Sequence, residues 1–234
     1  MPIFSFVQTK GGTGKTTLSQ AIAYSKAFKK TFGEIAMVEL DPQGTLADWI
    51  KERAENKRAT KHVHFYPLAG IELTKLTKEL EKIVATHEAV ILDIPGESVG
   101  GFATQLALNL SDLVLIPMRT STNDEASFAR NLWPVIQESL KENLAVIVIV
   151  PSFIHPQTKQ INVKNYFAGI MPEEIGCLKN FLPFRSTFEN YSRDGMTLAE
   201  YTNSVKNNAR LYDQAKKAAK DMENIAKEIV SLTK

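Results

Sequence analysis

The chain holds one cysteine, Cys177, in 234 residues, which excludes an internal disulfide framework and fits a reducing compartment. A small buried apolar role is the simplest use of that thiol. No apolar run approaches the ~20 residues that a membrane-spanning helix needs. A basic leader with an apolar core and a cleavage site is also missing, since the first apolar run starts at Ile3. Together these predict a cytoplasmic protein. Neither sign of charge is in excess: 28 Lys+Arg against 26 Asp+Glu leave +2, too little to argue for a nucleic-acid partner by itself. The four histidines, His62, His64, His87 and His155, are scattered. His62 and His64 would share one face of a strand, but with no acidic or cysteine partner nearby they do not read as a metal site. There is no internal repeat, low-complexity tract or interdomain linker.

What is present is ordinary globular material, 44% hydrophobic and 23% charged. The length suits one α/β domain with a full core, so residues 1–234 read as a single domain. Apolar runs alternate with helical patterns, which predicts βα units and a mostly parallel, doubly wound twisted sheet flanked by helices. Strands are expected at 3–7, 35–40, 63–67 (an edge strand ended by Pro67), 89–93, 112–117 and 145–150. Helices are expected after Lys15, over 46–57, through the stripe Ile71, Leu73, Leu76, Leu80 and Ile83, over 100–109, over 124–140, and at the C-terminus.

Directly after the first strand comes Lys10-Gly11-Gly12-Thr13-Gly14-Lys15-Thr16-Thr17. Strand, glycine-rich turn and helix start are the setting of a phosphate-binding loop. Gly11, Gly12 and Gly14 lack a Cβ, so the backbone can curl tightly and bring its N–H groups close to phosphate oxygens. The helix that follows points free N–H groups and its positive dipole end at the same anion. Lys15 supplies a point charge for the β- and γ-phosphates. Thr16 offers a hydroxyl to Mg²⁺, and Thr17 a second hydroxyl to the α-phosphate. The plain pattern G-x-x-x-x-G-K-[ST] fails in its first glycine, where Thr9 stands. The match is to the variant form K-G-G-x-G-K-[ST]-T, whose added lysine is Lys10.

Two further strands end in acids. Ile35–Leu40 runs into Asp41-Pro42-Gln43-Gly44, and Ala89–Leu92 into Asp93-Ile94-Pro95-Gly96. The second has the form of a Walker B strand, in which Asp93 would hold Mg²⁺ through water and the Gly96 N–H could contact the γ-phosphate. All three segments put acids or glycines at the carboxyl ends of parallel strands, where open α/β sheets bind ligands.

With its variant glycine loop, the sequence resembles the ParA/MinD family of ATPases, most closely the small ParA-type partition members, within the single-domain P-loop NTPase fold. The resemblance implies ATP and Mg²⁺ as cofactors. It implies that Lys10 crosses a dimer interface to the nucleotide of the other subunit, as an arginine finger does. Asp41 falls on the acid that the family uses to position or activate the attacking water. Glu39 falls where the family usually has aspartate, a candidate group on the Mg²⁺ side with one methylene more. Pro183 and Phe184 resemble the late segment that frames the adenine, although the family often has arginine directly after that proline. Pro151-Ser152 follows the strand at Val150 in place of an N-K-x-D guanine reader, which favours ATP over GTP. The lone cysteine argues against the iron–sulfur relatives of this class.

Between Arg185 and Lys220, seven basic residues face four acids. ParA-type dimers bind DNA non-specifically, so Arg185, Arg193, Lys206 and Arg210 are candidate contacts, against the alternative of a solvated helix face. The resemblance implies an ATP-dependent homodimer on non-specific DNA, nucleoid-associated if bacterial. It also implies slow hydrolysis stimulated by a ParB-like adaptor or centromere-binding protein. A plasmid, a chromosome or another large cargo would be moved, or DNA in conjugative transfer. A MinD-like membrane-cycling ATPase and a metabolic or cofactor-assembly ATPase are the alternatives. The last helix has no aromatic at its tip and a stripe rich in small residues, Leu211, Ala215, Ala218, Met222, Ile225, Ile229 and Leu232, so a packed helix is expected there rather than a membrane anchor.

Overall fold

The computed structural model describes residues 1–58, 62–96, 101–141 and 145–233. Its strands are β1 (Ile3–Phe6), β2 (Ile35–Glu39), β3 (Val63–Pro67), β4 (Ala89–Asp93), β5 (Leu113–Met118), β6 (Val146–Ile154), β7 (Gly176–Cys177) and β8 (Leu182–Pro183). They form one parallel sheet in the order β3-β2-β4-β1-β5-β6-β7, with β8 pairing the end of β6. The helices are α1 (Lys15–Ala23), α2 (Lys26–Thr31), α3 (Thr45–Glu55), α4 (Leu73–Thr86), α5 (Phe102–Leu110), α6 (Thr122–Ser127), α7 (Trp133–Leu140), α8 (Gln160–Ile170), α9 (Ser186–Asn190), α10 (Leu198–Ser204) and α11 (Ala209–Ser231).

The central strands are apolar without alternation because both faces of the sheet are covered. Successive side chains point to opposite faces. Phe4, Phe6, Ile35, Met37, Ile91, Leu115 and Val148 join one core with Leu18 and Ile22 of α1 and Met222, Ile225 and Ile229 of α11. Ala36, Val38, Val90, Leu92, Val114, Ile116 and Ile149 join the other with α4, α5, α7 and α8. The sheet is therefore wound on both sides, as the alternating pattern predicts. After β1 the chain skips a place to form β2, β4 later fills the gap, and β5 starts the other half. The carboxyl ends of β1, β2 and β4 thus meet at the point where the winding reverses.

Some elements differ from the sequence reading. The helix expected over 124–140 starts earlier and contains a π-helical turn, Phe128–Leu132, between α6 and α7. Pro134 explains it, since proline has no N–H for the carbonyl four residues back and the ladder must widen. The strand expected to stop at Val150 continues through Pro151 to Ile154, with an irregularity between Ser152 and Ile154. The edge strand at Val63–Pro67 lies at the end of the sheet order. The helix expected from Gly100 begins at Phe102, and Gly100 itself lies outside the described residues. In the terminal helix Ala215, Ala218, Met222, Ile225 and Ile229 are buried, whereas Leu211 and Leu232 of the expected stripe are exposed. Among the described residues no helix is long and apolar enough to cross a membrane.

Candidate nucleotide-binding site

The loop between β1 and α1 is anchored at its start by Gln8. This buried side chain donates to the Pro117 carbonyl at 3.2 Å and accepts from the Thr9 N–H at 2.9 Å. Gly12 and Gly14 have φ of +66° and +100°, the left-handed region where a side chain is strained. A Cβ on Gly14 would also sit 3.1 Å from Leu182 Cδ2, so the loop turns against β8. Gly14 then caps α1, whose first residue is Lys15.

Lys15 is only 8% exposed, and its ammonium donates to the Gln8 carbonyl at 3.2 Å. Burial lowers its pKa, and the nearby charges of Asp93 and Asp41 work against that shift. The cation is thus held in a poorly solvated place, where an anion gains most from it. Gly96 is packed under it: a Cβ there would lie 2.8 Å from Lys15 Nζ.

The Thr16 hydroxyl donates to Asp93 Oδ2 at 3.0 Å. The other oxygen, Asp93 Oδ1, is buried with no hydrogen-bond partner among the described residues. Burial pushes the Asp93 carboxyl up to about 7, although the Thr16 hydrogen bond and the Lys15 charge pull it down. An orphan carboxylate oxygen beside a threonine hydroxyl fits a hydrated hard cation, which takes oxygen ligands and keeps several waters.

Asp41 lines the same cleft as the glycine loop and accepts from the Gln43 N–H at 2.9 Å. A cleft of about 290 Å³ is lined by Gly11, Gly12, Thr13, Gly14, Lys15, Thr16, Thr17, Asp41, Gln43, Thr45 and Gly96. The three sequence-distant segments are therefore brought to one place. Glu39 lies beside Asp93 in the sheet register, and its charge helps to raise the Asp93 pKa. The Glu39 carboxylate accepts from the Leu46 N–H at 2.7 Å and the Ala47 N–H at 3.0 Å, and so caps α3. The methylene that distinguishes it from aspartate gives it the reach to do this. Burial raises its pKa, partly offset by those two hydrogen bonds.

Lys10 is ion-paired with Asp124 of the same chain. Pro183 is buried in β8, and Phe184 beside it is exposed. Arg185 Nε is bound to Asp221 at 2.7 Å, while Arg193, Lys206 and Arg210 are exposed. Asp221 and Arg210 both lie on α11, eleven residues or about 16 Å apart along the helix.

Sequence reasoning missed Gln8, Arg119, Asp124 and Phe153. Asp124 carried a signal, because Ser121 three residues before it caps α6 by accepting from the Asp124 N–H. Phe153 carried none, since its φ of +54° stands where no glycine announces a left-handed residue.

Residues 4–198 match the CobQ/CobB/MinD/ParA nucleotide binding domain. The protein ParA of Rhizobium radiobacter is 28% identical over 140 residues, 59% of this chain and 58% of that protein. Maintenance of carboxysome distribution protein A of Halothiobacillus neapolitanus is 30% identical over 115 residues, 49% of each. The matched part thus spans about half to three-fifths of these relatives. The MinD cell division protein of Aquifex aeolicus shares the fold with a TM-score of 0.68 at 16% identity, over 99% of this chain and 98% of that one. Structures of this fold include ones with AMPPNP bound and with an ATP analogue and magnesium bound.

Proposed function

The chain belongs to the CobQ/CobB/MinD/ParA family of nucleotide-binding domains, and on that premise we propose that it is an ATPase of the partition or positioning kind. ATP with Mg²⁺ joins two copies of the chain, the dimer holds DNA without regard to sequence, and hydrolysis stimulated by an adaptor protein releases it. The cargo is a large assembly, whether a replicon or a protein compartment.

The observation that carries this reading is the meeting of Lys15, Thr16 and Asp41 around one cleft, with Asp93 bound to Thr16 and the extra lysine, Lys10, on the same loop. The glycine loop and Lys15 bind the triphosphate, with Thr17 beside them and Gly96 opposite. Thr16 and, through water, Asp93 hold Mg²⁺, which when bound neutralises phosphate charge. Asp41 orients the attacking water. Lys10 reaches the nucleotide of the second subunit, and Pro183 and Phe184 lie beside the base. Glu39 acts through the α3 cap, which positions the loop that carries Asp41. Arg193, Lys206 and Arg210 supply the DNA face, and Arg185 contributes only if its bond to Asp221 opens. Such contacts are salt-sensitive and blind to sequence.

Sizing of the wild type and of Lys10→Ala with ATP and Mg²⁺, with and without random-sequence DNA, tests this. Dimers that need ATP, retain DNA and are weakened by Lys10→Ala are expected. A monomer indifferent to both would overturn the positioning function, and binding to anionic vesicles in place of DNA would replace it with a membrane-cycling one.

A further inference from the structure

Beside the glycine loop lies an aromatic group that phosphate binding does not use. Phe153 has φ +54° at the irregularity of β6, a conformation that bulky residues rarely adopt. Strained residues of this kind gather at ligand clamps and active sites. The Phe153 ring lies against the loop, since a Cβ on Gly14 would meet its Cε2 at 3.3 Å. The guanidinium carbon of Arg119 lies 4.6 Å from the centroid of that ring, and the same guanidinium donates to the Gly12 carbonyl. A second ring, Phe184, lies 6.4 Å from Phe153 and is 58% exposed. One ring and a planar cation therefore border Gly14 and Gly12, and a second, exposed ring lies beyond the first.

We propose that Phe153, Phe184 and Arg119 form a stacking platform for the base of the bound nucleotide, and that this platform distinguishes adenine from guanine only weakly. The proposal rests on the nucleotide-binding reading above. Every base has a π-face, so stacking on aromatic rings and arginine tolerates a change of base. Telling adenine from guanine requires donors and acceptors aimed at the base edge. The two phenylalanines have neither, and the Arg119 side chain has donors only. N7 of adenine and both N7 and O6 of guanine accept from such a donor, so nothing in the platform rejects guanine. The lack of a guanine reader after Val150 removes a preference for guanine without adding a penalty against it.

Calorimetric titration of the full chain with ATP, GTP and inorganic tripolyphosphate, each with Mg²⁺, tests the platform, because tripolyphosphate has no base. The wild type should bind ATP and GTP within about tenfold of each other, as stacking without edge contacts implies. Arg119→Ala and Phe184→Ala, both at exposed positions, should each weaken both nucleotides by about tenfold. Phe184→Ala should leave tripolyphosphate affinity unchanged, whereas Arg119→Ala, which also removes the bond to the Gly12 carbonyl of the phosphate loop, should weaken ATP and GTP more than tripolyphosphate. A preference for ATP above about a hundredfold would overturn the proposal, since that requires edge readout. So would variants that keep full nucleotide affinity, or tripolyphosphate binding as tight as that of ATP. A wild type that binds none of the three would overturn the nucleotide reading itself, and the platform with it.

Discussion

Lys10 and Asp124 are ion-paired within one chain, across 114 residues of sequence, with the Asp124 side chain fully shielded from solvent and that of Lys10 38% exposed. Asp124 also accepts from the Arg119 N–H at 3.1 Å. Burial would push its carboxyl up, but the hydrogen bonds from Lys10, Arg119 and Ser121 outweigh it and hold the pKa below the ordinary value. The pair stabilises the single chain, and in the dimer proposed above Lys10 would have to leave it.

Asp124→Asn should cost the free chain about 1–3 kcal/mol at pH 7, the usual loss for a buried charged hydrogen-bond acceptor. Because the folded pKa is depressed, this stability is fully present above the unfolded value. It is lost as pH falls through the folded pKa, which lies below 3.8. Urea unfolding of both proteins at pH 7 and pH 3 checks this. A gap that widens on acidification would contradict the assignment.

Gly96→Ala should spare the fold and weaken the nucleotide. The added Cβ would meet Lys15 Nζ at 2.8 Å, and that atom is the free end of a flexible side chain. The ammonium can move aside at little cost, but it then leaves the position from which it serves the cleft. Unfolding temperature without nucleotide should be nearly unchanged, while the rise produced by ATP and Mg²⁺ should shrink. Equal ATP-induced shifts in wild type and variant would show that Lys15 does not act from this position.

The glycine loop and the two acid-ended strands were legible because their chemistry is written in residue type at fixed spacing. Gly12, Gly14 and Gly44 all have positive φ where the turns require it. The paired faces of the sheet followed from uninterrupted apolar runs. Other features depend on tertiary reach, which spacing does not encode. The Lys10–Asp124 pair and the Glu39 cap on α3 are fixed only when distant segments meet. The two-residue strands β7 and β8 are defined by their pairing with β6 rather than by any pattern of their own. The positive φ of Phe153 belongs to a residue type that does not advertise it.

Glu39→Asp separates the cap from a role at the metal. The shorter side chain would not span to both the Leu46 and Ala47 N–H groups, so α3 should lose about 1 kcal/mol of capping. If Glu39 acts only through this cap, Mg²⁺ dependence of nucleotide binding should stay as in the wild type while stability falls. A changed Mg²⁺ requirement with stability intact would assign Glu39 to the metal side.

Gly195→Ala should be the most damaging small substitution of this set, and for reasons away from the cleft. Gly195 has φ +65°, and a Cβ there would lie 2.3 Å from the Arg53 backbone nitrogen and 2.6 Å from its Cα. Those are backbone atoms of α3 and cannot step aside. The contact also seats Arg53, which donates to the Gly195 carbonyl at 2.6 Å and to Glu200 at 2.7 and 3.2 Å, and lies near the rings of Tyr24 and Trp49. Arg53 is buried, so displacing it would strand a charge away from water. The loss should exceed about 3 kcal/mol, the range of strained backbone and broken buried networks. Chemical denaturation measures it directly. A stability within about 0.5 kcal/mol of wild type, the range of neutral surface changes, would mean that α3 and the 193–200 segment are not locked together as the structure has them.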